Sequence, residues 1–341
     1  MGRKTQMNNI TNPELLSQVN PENIQLLNDF VDYLRSIQRS EETIKGYIND
    51  IQIAWVWNLL QNDNRFYCDW TKRQIIKYQN WLINDNQNSP ARIKRLKSAL
   101  SSLGNFIESV LDDEFPNFRN IINKIESPVN QPVRNKTVLS DEQIVSLLNY
   151  LTEKGKYDKA CVLALALYSG RRKSELLRFK VDDFTDEHLV CNGALYKSNP
   201  IKTKGRGVNG KQLECFCLAK KFKPYLDLWL AYREKEGIKS DWLFPKKSNS
   251  NETLCVSTLN SWAKTFSEIL GIDFYGHAVR HLTVTNFKRA GIPDTVIQKY
   301  IGWEDISMVP VYVDLKADEQ LGMYFNEDGI ITPSTTSLSD L

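Results

Sequence analysis

The chain has 341 residues, more than one compact domain usually needs, so two domains are expected. Hydrophobic residues make up 41% and charged residues 25% of the sequence, values typical of a soluble globular protein that exclude a wholly disordered chain. The net charge is only +3, but residues 131–236 carry 20 basic against 13 acidic side chains. This local excess weakly favours a polyanionic partner.

The sequence gives no sign of a membrane partner. Its longest apolar stretch, Val162 to Tyr168, is far too short for a bilayer span. The charged first residues are not followed by an apolar stretch, so no secretory leader is expected. Six cysteines without a regular framework fit a reducing compartment. We therefore expect a cytoplasmic protein, associated with the nucleoid if the host is prokaryotic.

After a flexible N terminus over residues 1–20, residues 21–126 are predicted to form an all-α domain. Apolar residues at helical spacing predict its helices, and no strand-like alternation interrupts them. Ser40 has the pattern of an N-cap, and Pro90 fits the first position of a helix over 89–110. Two prolines in the low-periodicity stretch that follows predict a linker over 127–138.

The second domain, residues 139–341, is predicted to mix helices with a small antiparallel sheet. It opens on a helix capped by Ser140. Alternating polarity and glycines over 179–218 predict strands and a long hairpin around residues 205–210. The expected fold class is therefore mainly α with a small antiparallel β-sheet: an all-α N-terminal domain and a mixed α/β C-terminal domain.

Several common sites are absent from the sequence. It contains no P-loop, no glycine motif for dinucleotides, no zinc-protease motif and no nucleophile elbow. Cys215 and Cys217 have no second cysteine pair at ligand spacing, so we expect two sheet cysteines rather than a zinc site.

Residues suited to a phosphate occur in a fixed order along the second domain: Arg172, Glu175, His277, Arg280, Trp303 and Tyr312. Arg172 and Glu175 are three apart, so the carboxylate can orient the guanidinium on one helical face. Two arginines can neutralise the non-bridging oxygens of one phosphodiester through bidentate contacts. Taken singly, the charged pairs are typical of surface ion pairs, and Trp303 and Tyr312 are typical of core aromatic residues. Only their joint order indicates a phosphate site.

In this order the residues resemble the motifs of the tyrosine recombinases, also called phage integrases. Ser169-Gly-Arg-Arg-Lys-Ser-Glu-Leu176 is similar to the family's first arginine box, and His277-x-x-Arg280-His281 is similar to the second. Gly302-Trp303, followed by Tyr312, resembles the third.

The resemblance covers about residues 21–325 and includes Ser40 to Trp57, which is similar to the family's core-binding helix. Trp303 and residues 322–329 are most similar to Cre-like members. The resemblance implies a helical core-binding domain, which contacts DNA, followed by a tyrosine-recombinase catalytic domain.

The implied activity is site-specific DNA recombination that uses neither a cofactor nor a metal. Tyr312 attacks the scissile phosphodiester to form a 3′-phosphotyrosyl intermediate, and strands exchange through a Holliday junction in a tetramer. Phosphoryl transfer depends mainly on positioning and charge neutralisation, which suits two arginines. The implied catalytic residues are Arg172, Glu175, Lys204, His277, Arg280, Trp303 and Tyr312. Lys204, in the predicted hairpin, is the expected general acid, with Lys202 as the alternative.

Residues expected to contact DNA are Arg92, Lys94, Arg95, Lys97, Arg171, Lys202 and Arg206. The alternative for the four in the first domain is a solvated helix face. Arg171 stands where the family usually has an apolar residue. Spacing to Glu175 favours Arg172 as the scissile-phosphate ligand and leaves Arg171 for a neighbouring phosphate.

Two residues next to the motif residues, Pro310 and His281, lead to further structural predictions. Pro310 precedes Tyr312 by two residues, which predicts that the tyrosine lies in the first turn of its helix. His281 is either an accessory donor or a packed histidine, and we favour the packed role.

The expected partners are a double-stranded DNA site and further copies of the chain, onto which the amphipathic segment 315–325 would dock. Accessory proteins that set the direction of the reaction are a further partner class that the family allows. Two alternative functions stay open: a type IB topoisomerase, which shares the tyrosine chemistry, and a DNA-binding protein that has lost catalysis.

Overall fold

The computed structural model describes residues 10–129, 137–203, 210–326 and 329–330. Its internal contacts divide the chain into two units, one that ends near residue 135 and one that begins near residue 136. The predicted linker, 127–138, falls largely on residues 130–136, which lie outside the described residues. Its boundaries therefore stay a prediction.

The described part of the N-terminal unit is helical, as the sequence predicts. Its α-helices are α1 (Pro13–Leu16), α2 (Pro21–Ser36), α3 (Glu41–Gln61), α4 (Lys72–Asn84) and α5 (Pro90–Val110). The Ser40 hydroxyl accepts the Thr43 N–H at the start of α3, and Ser89 accepts the Arg92 N–H at the start of α5. Both bonds satisfy helix N–H groups that have no partner inside the helix.

Aromatic side chains fill the core of this unit. Trp55, Trp57, Trp70 and Tyr78 are buried and pack in edge and tilted contacts with centroids 5.1–6.5 Å apart. The apolar faces of α2, α3 and α5 converge on the same core. Burial of so much apolar surface is the main term that stabilises the helices, which would be marginal in isolation.

Residues 10–20 correct the expectation of a flexible N terminus through residue 20. Asn12 caps α1 by accepting the Leu15 N–H, and Val19 is only 3% exposed. The Asn20 N–H donates to the side chain of Asn64 at 2.9 Å. This segment is therefore part of the helical unit.

The C-terminal unit is built around α7, in which eight of the thirteen residues are buried. Its α-helices are α6 (Asp141–Glu153), α7 (Tyr157–Ser169), α8 (Lys173–Leu176), α9 (Ala219–Lys235), α10 (Val256–Leu270), α11 (Gly276–Arg289), α12 (Asp294–Ile301), α13 (Met308–Tyr312) and α14 (Ala317–Gly322). Helices α6, α9 and α11 pack on α7. Because three helices cover α7, its sequence is a nearly continuous apolar run.

Short antiparallel strands complete this unit and confirm the predicted fold class. They are β1 (Leu189–Val190), β2 (Leu195–Lys197), β3 (Ile201–Thr203), β4 (Lys211–Leu213), β5 (Phe216–Leu218), β6 (Phe325–Asn326) and β7 (Gly329–Ile330). Strands β1, β2 and β5 form one sheet, while β3 pairs with β4 and β6 with β7. Cys215 and Cys217 are both buried, and Cys217 lies opposite Tyr196 in the sheet.

The pairing of β3 with β4 confirms the predicted hairpin, although its loop residues 204–209 lie outside the described residues. Segment 315–325, predicted to be amphipathic, holds α14 and the start of β6. Arg289 on α11 pairs with Glu319 of α14 at 2.8 Å. Within the described ranges, no helix has both the length and the apolarity of a membrane span.

Candidate active site

The first arginine box forms a sharp turn between α7 and α8. Gly170 ends α7 with φ +61°, and a Cβ there would lie 2.5 Å from the Ile301 side chain, so only glycine fits. The Arg172 N–H donates to Oε2 of Glu175, and Nη1 of Arg172 donates to Oε1, both at 3.0 Å. Glu175 is 1% exposed, whereas one third of the Arg172 side chain is accessible. A buried carboxylate thus fixes a partly accessible guanidinium.

Arg171 does not have the position expected for a DNA contact. It is 3% exposed, and its guanidinium donates to the carbonyl oxygens of Tyr300 at 2.7 Å and Ile301 at 3.2 Å. These are the last carbonyls of α12, where a cation is favoured. Arg171 therefore ties the first box to α12, and the structure contradicts the expectation that it touches a neighbouring phosphate.

Arg280, on α11, is a buried cation with unused donors. It is 1% exposed, and its Nη1 donates to the Gly170 carbonyl at 2.7 Å. Its Nε and Nη2 are buried without a hydrogen-bond partner among the described residues. Burial and the nearby Arg172 charge lower the pKa of Arg280 to about 10, so it is still a cation at neutral pH. Unpaired buried donors are costly, and an anion would satisfy them.

His277 is exposed at the start of α11. Although the residue is exposed overall, the protein atoms around its imidazole partly desolvate the ring and lower its pKa, and the cationic Arg280, Lys173 and Arg172 lower it further. Its ring is therefore mostly neutral at pH 7, with one nitrogen able to accept a proton and the other able to donate one.

Trp303 and Tyr312 lie against Arg280. The guanidinium carbon is 5.0 Å from the Trp303 ring centroid and 5.4 Å from that of Tyr312. The two rings are 4.9 Å apart. The indole N–H of Trp303 is buried without a partner among the described residues, like two of the Arg280 donors. Six of the predicted catalytic residues are thus linked through Arg280 by contact or by charge: Arg172, Glu175, His277, Arg280, Trp303 and Tyr312.

The prediction that Tyr312 lies in the first turn of its helix is wrong. Helix α13 runs only from Met308 to Tyr312, so the tyrosine is its last residue. The physical reason is that Pro310, rather than Tyr312, takes the first-turn position, where its missing N–H removes no helical bond. The helix ends before a second turn can form.

His281 packs against Tyr312, with their rings stacked at 4.4 Å. Its Nδ1 is 3.2 Å from the Tyr312 carbonyl oxygen and 3.5 Å from Oδ2 of Asp314. These contacts favour the packed alternative for this histidine. Asp314 and Thr285 belong to no motif and were not predicted, although Thr285 is four residues after His281 and so lies on the same face of α11.

Lys204, the expected general acid, and Arg206, an expected DNA contact, lie outside the described residues. Lys202, the alternative, lies on β3 with an exposed side chain, and its carbonyl oxygen accepts a hydrogen bond from Arg178. The roles of these three residues therefore stay predictions.

The basic residues of α5 differ from one another in their surroundings. Arg92 and Arg95 both donate to the 4% exposed Asp50, at 2.7 and 2.9 Å, while Lys94 is exposed. Lys97 is 4% exposed, and its Nζ donates to Gln79 Oε1 at 2.7 Å and to the Ile125 carbonyl at 2.6 Å. The structure contradicts the expected DNA contact of Lys97, because these bonds hold its ammonium inside the unit.

Comparison with known proteins gives two family matches along the chain. Residues 137–319 match the phage integrase family, and residues 26–117 match the N-terminal SAM-like domain of phage integrases. The first match alone spans more than half of the chain.

Two curated proteins are similar over most of their length. The SPbeta prophage-derived recombinase-like protein YomM of Bacillus subtilis (strain 168) is 27% identical over 317 residues, 89% of this chain and 90% of that protein. The tyrosine recombinase XerC of Caldanaerobacter subterraneus subsp. tengcongensis is 24% identical over 340 residues, 89% of this chain and 86% of its own.

Solved structures share the fold. A lambda integrase tetramer bound to a Holliday junction has a TM-score of 0.61 at 17% identity, covering 85% of this chain and 77% of that one. The XerH site-specific recombinase in a post-cleavage complex with difH DNA also has a TM-score of 0.61 at 17% identity, with 90% and 89% covered. The chain belongs to the phage integrase family, the tyrosine recombinases.

Proposed function

We propose that this chain is a site-specific DNA recombinase in which Tyr312 is the nucleophile. The observation that carries the proposal is the buried Arg280, whose guanidinium lies against the rings of Trp303 and Tyr312. Two of its donors, and the indole N–H of Trp303, have no hydrogen-bond partner among the described residues. Donors held ready in a shielded site are what a transition state with spread negative charge requires.

The described residues support an assignment of roles. Arg172, fixed by Glu175, and Arg280 neutralise the scissile phosphate, and Trp303 donates to one of its oxygens. The Tyr312 oxygen bonds to phosphorus while the bond from phosphorus to the 5′-oxygen breaks. His277, mostly neutral at pH 7, accepts the phenol proton or donates to the phosphate.

Lys204 protonates the leaving 5′-oxygen in this proposal, with Lys202 as the alternative. The phosphotyrosyl ester keeps the energy of the broken bond, so a 5′-hydroxyl can reverse the step on the same or another strand. Rejoining therefore needs no nucleotide cofactor, and the arginines supply the charge neutralisation that a metal provides elsewhere.

The partners proposed are double-stranded DNA and further copies of the chain. Lambda integrase forms a tetramer on a Holliday junction and XerH is seen bound to DNA, which supports both partners by family membership. Docking of segment 315–325 on a neighbouring copy, accessory direction-setting proteins and a cytoplasmic, nucleoid-associated location are parts of the same proposal. Likeness to Cre-like members in particular stays a prediction.

The function is tested on a supercoiled plasmid carrying two copies of a DNA segment taken from beside the gene, where such elements commonly have their sites. The expected products are rejoined circles with exchanged flanks, formed equally well in EDTA. Relaxation of the plasmid without exchanged products would instead support the topoisomerase alternative. Cutting that stops in EDTA would contradict the metal-free mechanism.

A second prediction concerns Arg92 and Arg95 as phosphate contacts of the N-terminal unit. If both contact DNA, replacing the two with alanine reduces the slope of log affinity against log salt by about 2, because each lost phosphate contact removes about one unit. The measurement is a fluorescence-anisotropy titration at several salt concentrations. Arg65→Ala/Arg73→Ala removes the same charge from the same unit and serves as the control. An equal change in both double variants would favour a solvated helix face for α5.

A further inference from the structure

The segment that carries Tyr312 depends on the rest of the fold for its position. Helix α13 has five residues, too few to be stable by itself. The carbonyl of Tyr312, at its C-terminal end, has no partner within the helix. Side chains from outside α13 therefore have to fix the place from which the phenol attacks.

The side chains of His281 and Thr285 contact the backbone at and just after the nucleophile, and the side chain of Asp314 contacts His281. His281 Nδ1 is 3.2 Å from the Tyr312 carbonyl oxygen, and Thr285 Oγ1 is 3.5 Å from the same oxygen. Thr285 Oγ1 also accepts the Asp314 N–H at 3.0 Å, and Oδ2 of Asp314 is 3.5 Å from His281 Nδ1. Both atoms facing Nδ1 are acceptors, so Nδ1 carries a hydrogen.

These groups are shielded from water. The side chains of His281 and Asp314 are 13% and 7% exposed, and Thr285 is 2% exposed. The His281 ring also stacks on the Tyr312 ring at 4.4 Å, with 26° between the planes. Hydrogen bonds to the backbone and a ring stack thus fix both the main chain and the side chain of the nucleophile.

The same helix carries the phosphate ligand. Arg280 precedes His281 on α11, and Thr283 ties α11 to α7 through its hydrogen bond to the Leu167 carbonyl at 2.7 Å. A rigid helix that holds both partners of a reaction keeps their separation constant, which is a large part of what an enzyme supplies.

We propose that His281, Thr285 and Asp314 form a nucleophile anchor that sets the position of Tyr312 relative to Arg280 without touching DNA. The inference rests on the proposed function, because it assigns Tyr312 as the attacking group. The three are positioning residues, and their effect reaches the reaction only through Tyr312.

The anchor is tested with variants that each remove one contact. His281→Phe keeps the ring stack and removes the Nδ1 donor, and Thr285→Val removes the hydroxyl at nearly constant volume. We expect each to slow formation of the covalent adduct on a nicked suicide substrate by about 10–100-fold at saturating protein, because small misplacements of a reacting group have effects of that size. DNA affinity should stay within about twofold of wild type. His281→Asn, whose amide can replace the Nδ1 donor, should recover part of the rate.

Hydrogen peroxide separates positioning from direct action on the phosphate. In a Tyr312→Phe background, a peroxide oxygen can bond to phosphorus while the bond to the 5′-oxygen breaks. Adding His281→Phe or Thr285→Val to that background should leave peroxide-driven cleavage unchanged. An equal loss in both reactions would overturn the inference, because His281 would then act on the phosphate itself.

A double-mutant cycle gives an independent measurement on the complete chain. The effects of His281→Phe and Thr285→Val on the rate of adduct formation should be clearly less than additive, because both weaken the same anchor. The effects of His281→Phe and Arg172→Ala should be additive. If both single variants form the adduct at the wild-type rate, the inference is overturned but the proposed function is not. A wild-type chain that forms no adduct at Tyr312 would overturn the proposed function and the inference with it.

Discussion

Replacing Tyr312 with phenylalanine should abolish the covalent protein–DNA adduct and leave DNA binding intact. The substitution removes only the phenolic oxygen, which is the atom that bonds to phosphorus. The ring keeps its packing against Trp303, His281 and Arg280, whose centroid distances lie between 4.4 and 5.4 Å. The free energy of unfolding should therefore change by less than about 1 kcal/mol.

The measurement is adduct formation on a nicked suicide substrate with a labelled strand, followed by digestion and identification of the labelled peptide. Tyr324→Phe, which alters an exposed tyrosine elsewhere in the same unit, is the matched control and should form the adduct at the wild-type rate. Label on a peptide that lacks residue 312 would contradict the assignment of the nucleophile. Wild-type binding with no adduct from the unaltered chain would support the lapsed DNA-binding alternative.

The helices and the order of the site residues could be predicted because both are local properties of the sequence. The Ser40 cap pattern places the start of α3, and the helix predicted over 89–110 matches α5 to within one residue. The pairing of Arg172 with Glu175 follows from their spacing alone. The two-residue strands β6 and β7 were missed, because no alternation of polarity can show over two positions.

The hydrogen-bond partners of buried charged residues were harder to predict than the burial itself. Lys97 lies four residues after Ile93 and three before Leu100, both buried, so helical spacing alone already places it on the inward face of α5. Its partners Gln79 and Ile125 are 18 and 28 residues away, and no local pattern announces them. Tertiary partners of this kind decide whether a cation is available to DNA.

Arg171 and Arg172 differ in the same way and lead to opposite expectations for their alanine variants. Arg172→Ala removes one guanidinium from the transition state and should slow cleavage by about 10²–10³. Arg172→Lys keeps the charge but loses the planar guanidinium that pairs with Glu175 and a phosphate. Its cleavage rate should therefore fall between those of the wild type and Arg172→Ala. The measurement is single-turnover cleavage of the suicide substrate at saturating protein.

Arg171→Ala should act on the fold instead of the chemistry. Its removal leaves the carbonyl oxygens of Tyr300 and Ile301 buried without their donor, and an unsatisfied buried group costs about 1–3 kcal/mol. For a unit of this size that loss lowers the Tm by several degrees, at about 2–4 °C per kcal/mol. Folded Arg171→Ala protein, assayed well below its Tm, should therefore cleave close to the wild-type rate. If it cleaves more slowly than Arg172→Ala with an unchanged Tm, then Arg171 faces the phosphate and the two arginines have been assigned in reverse.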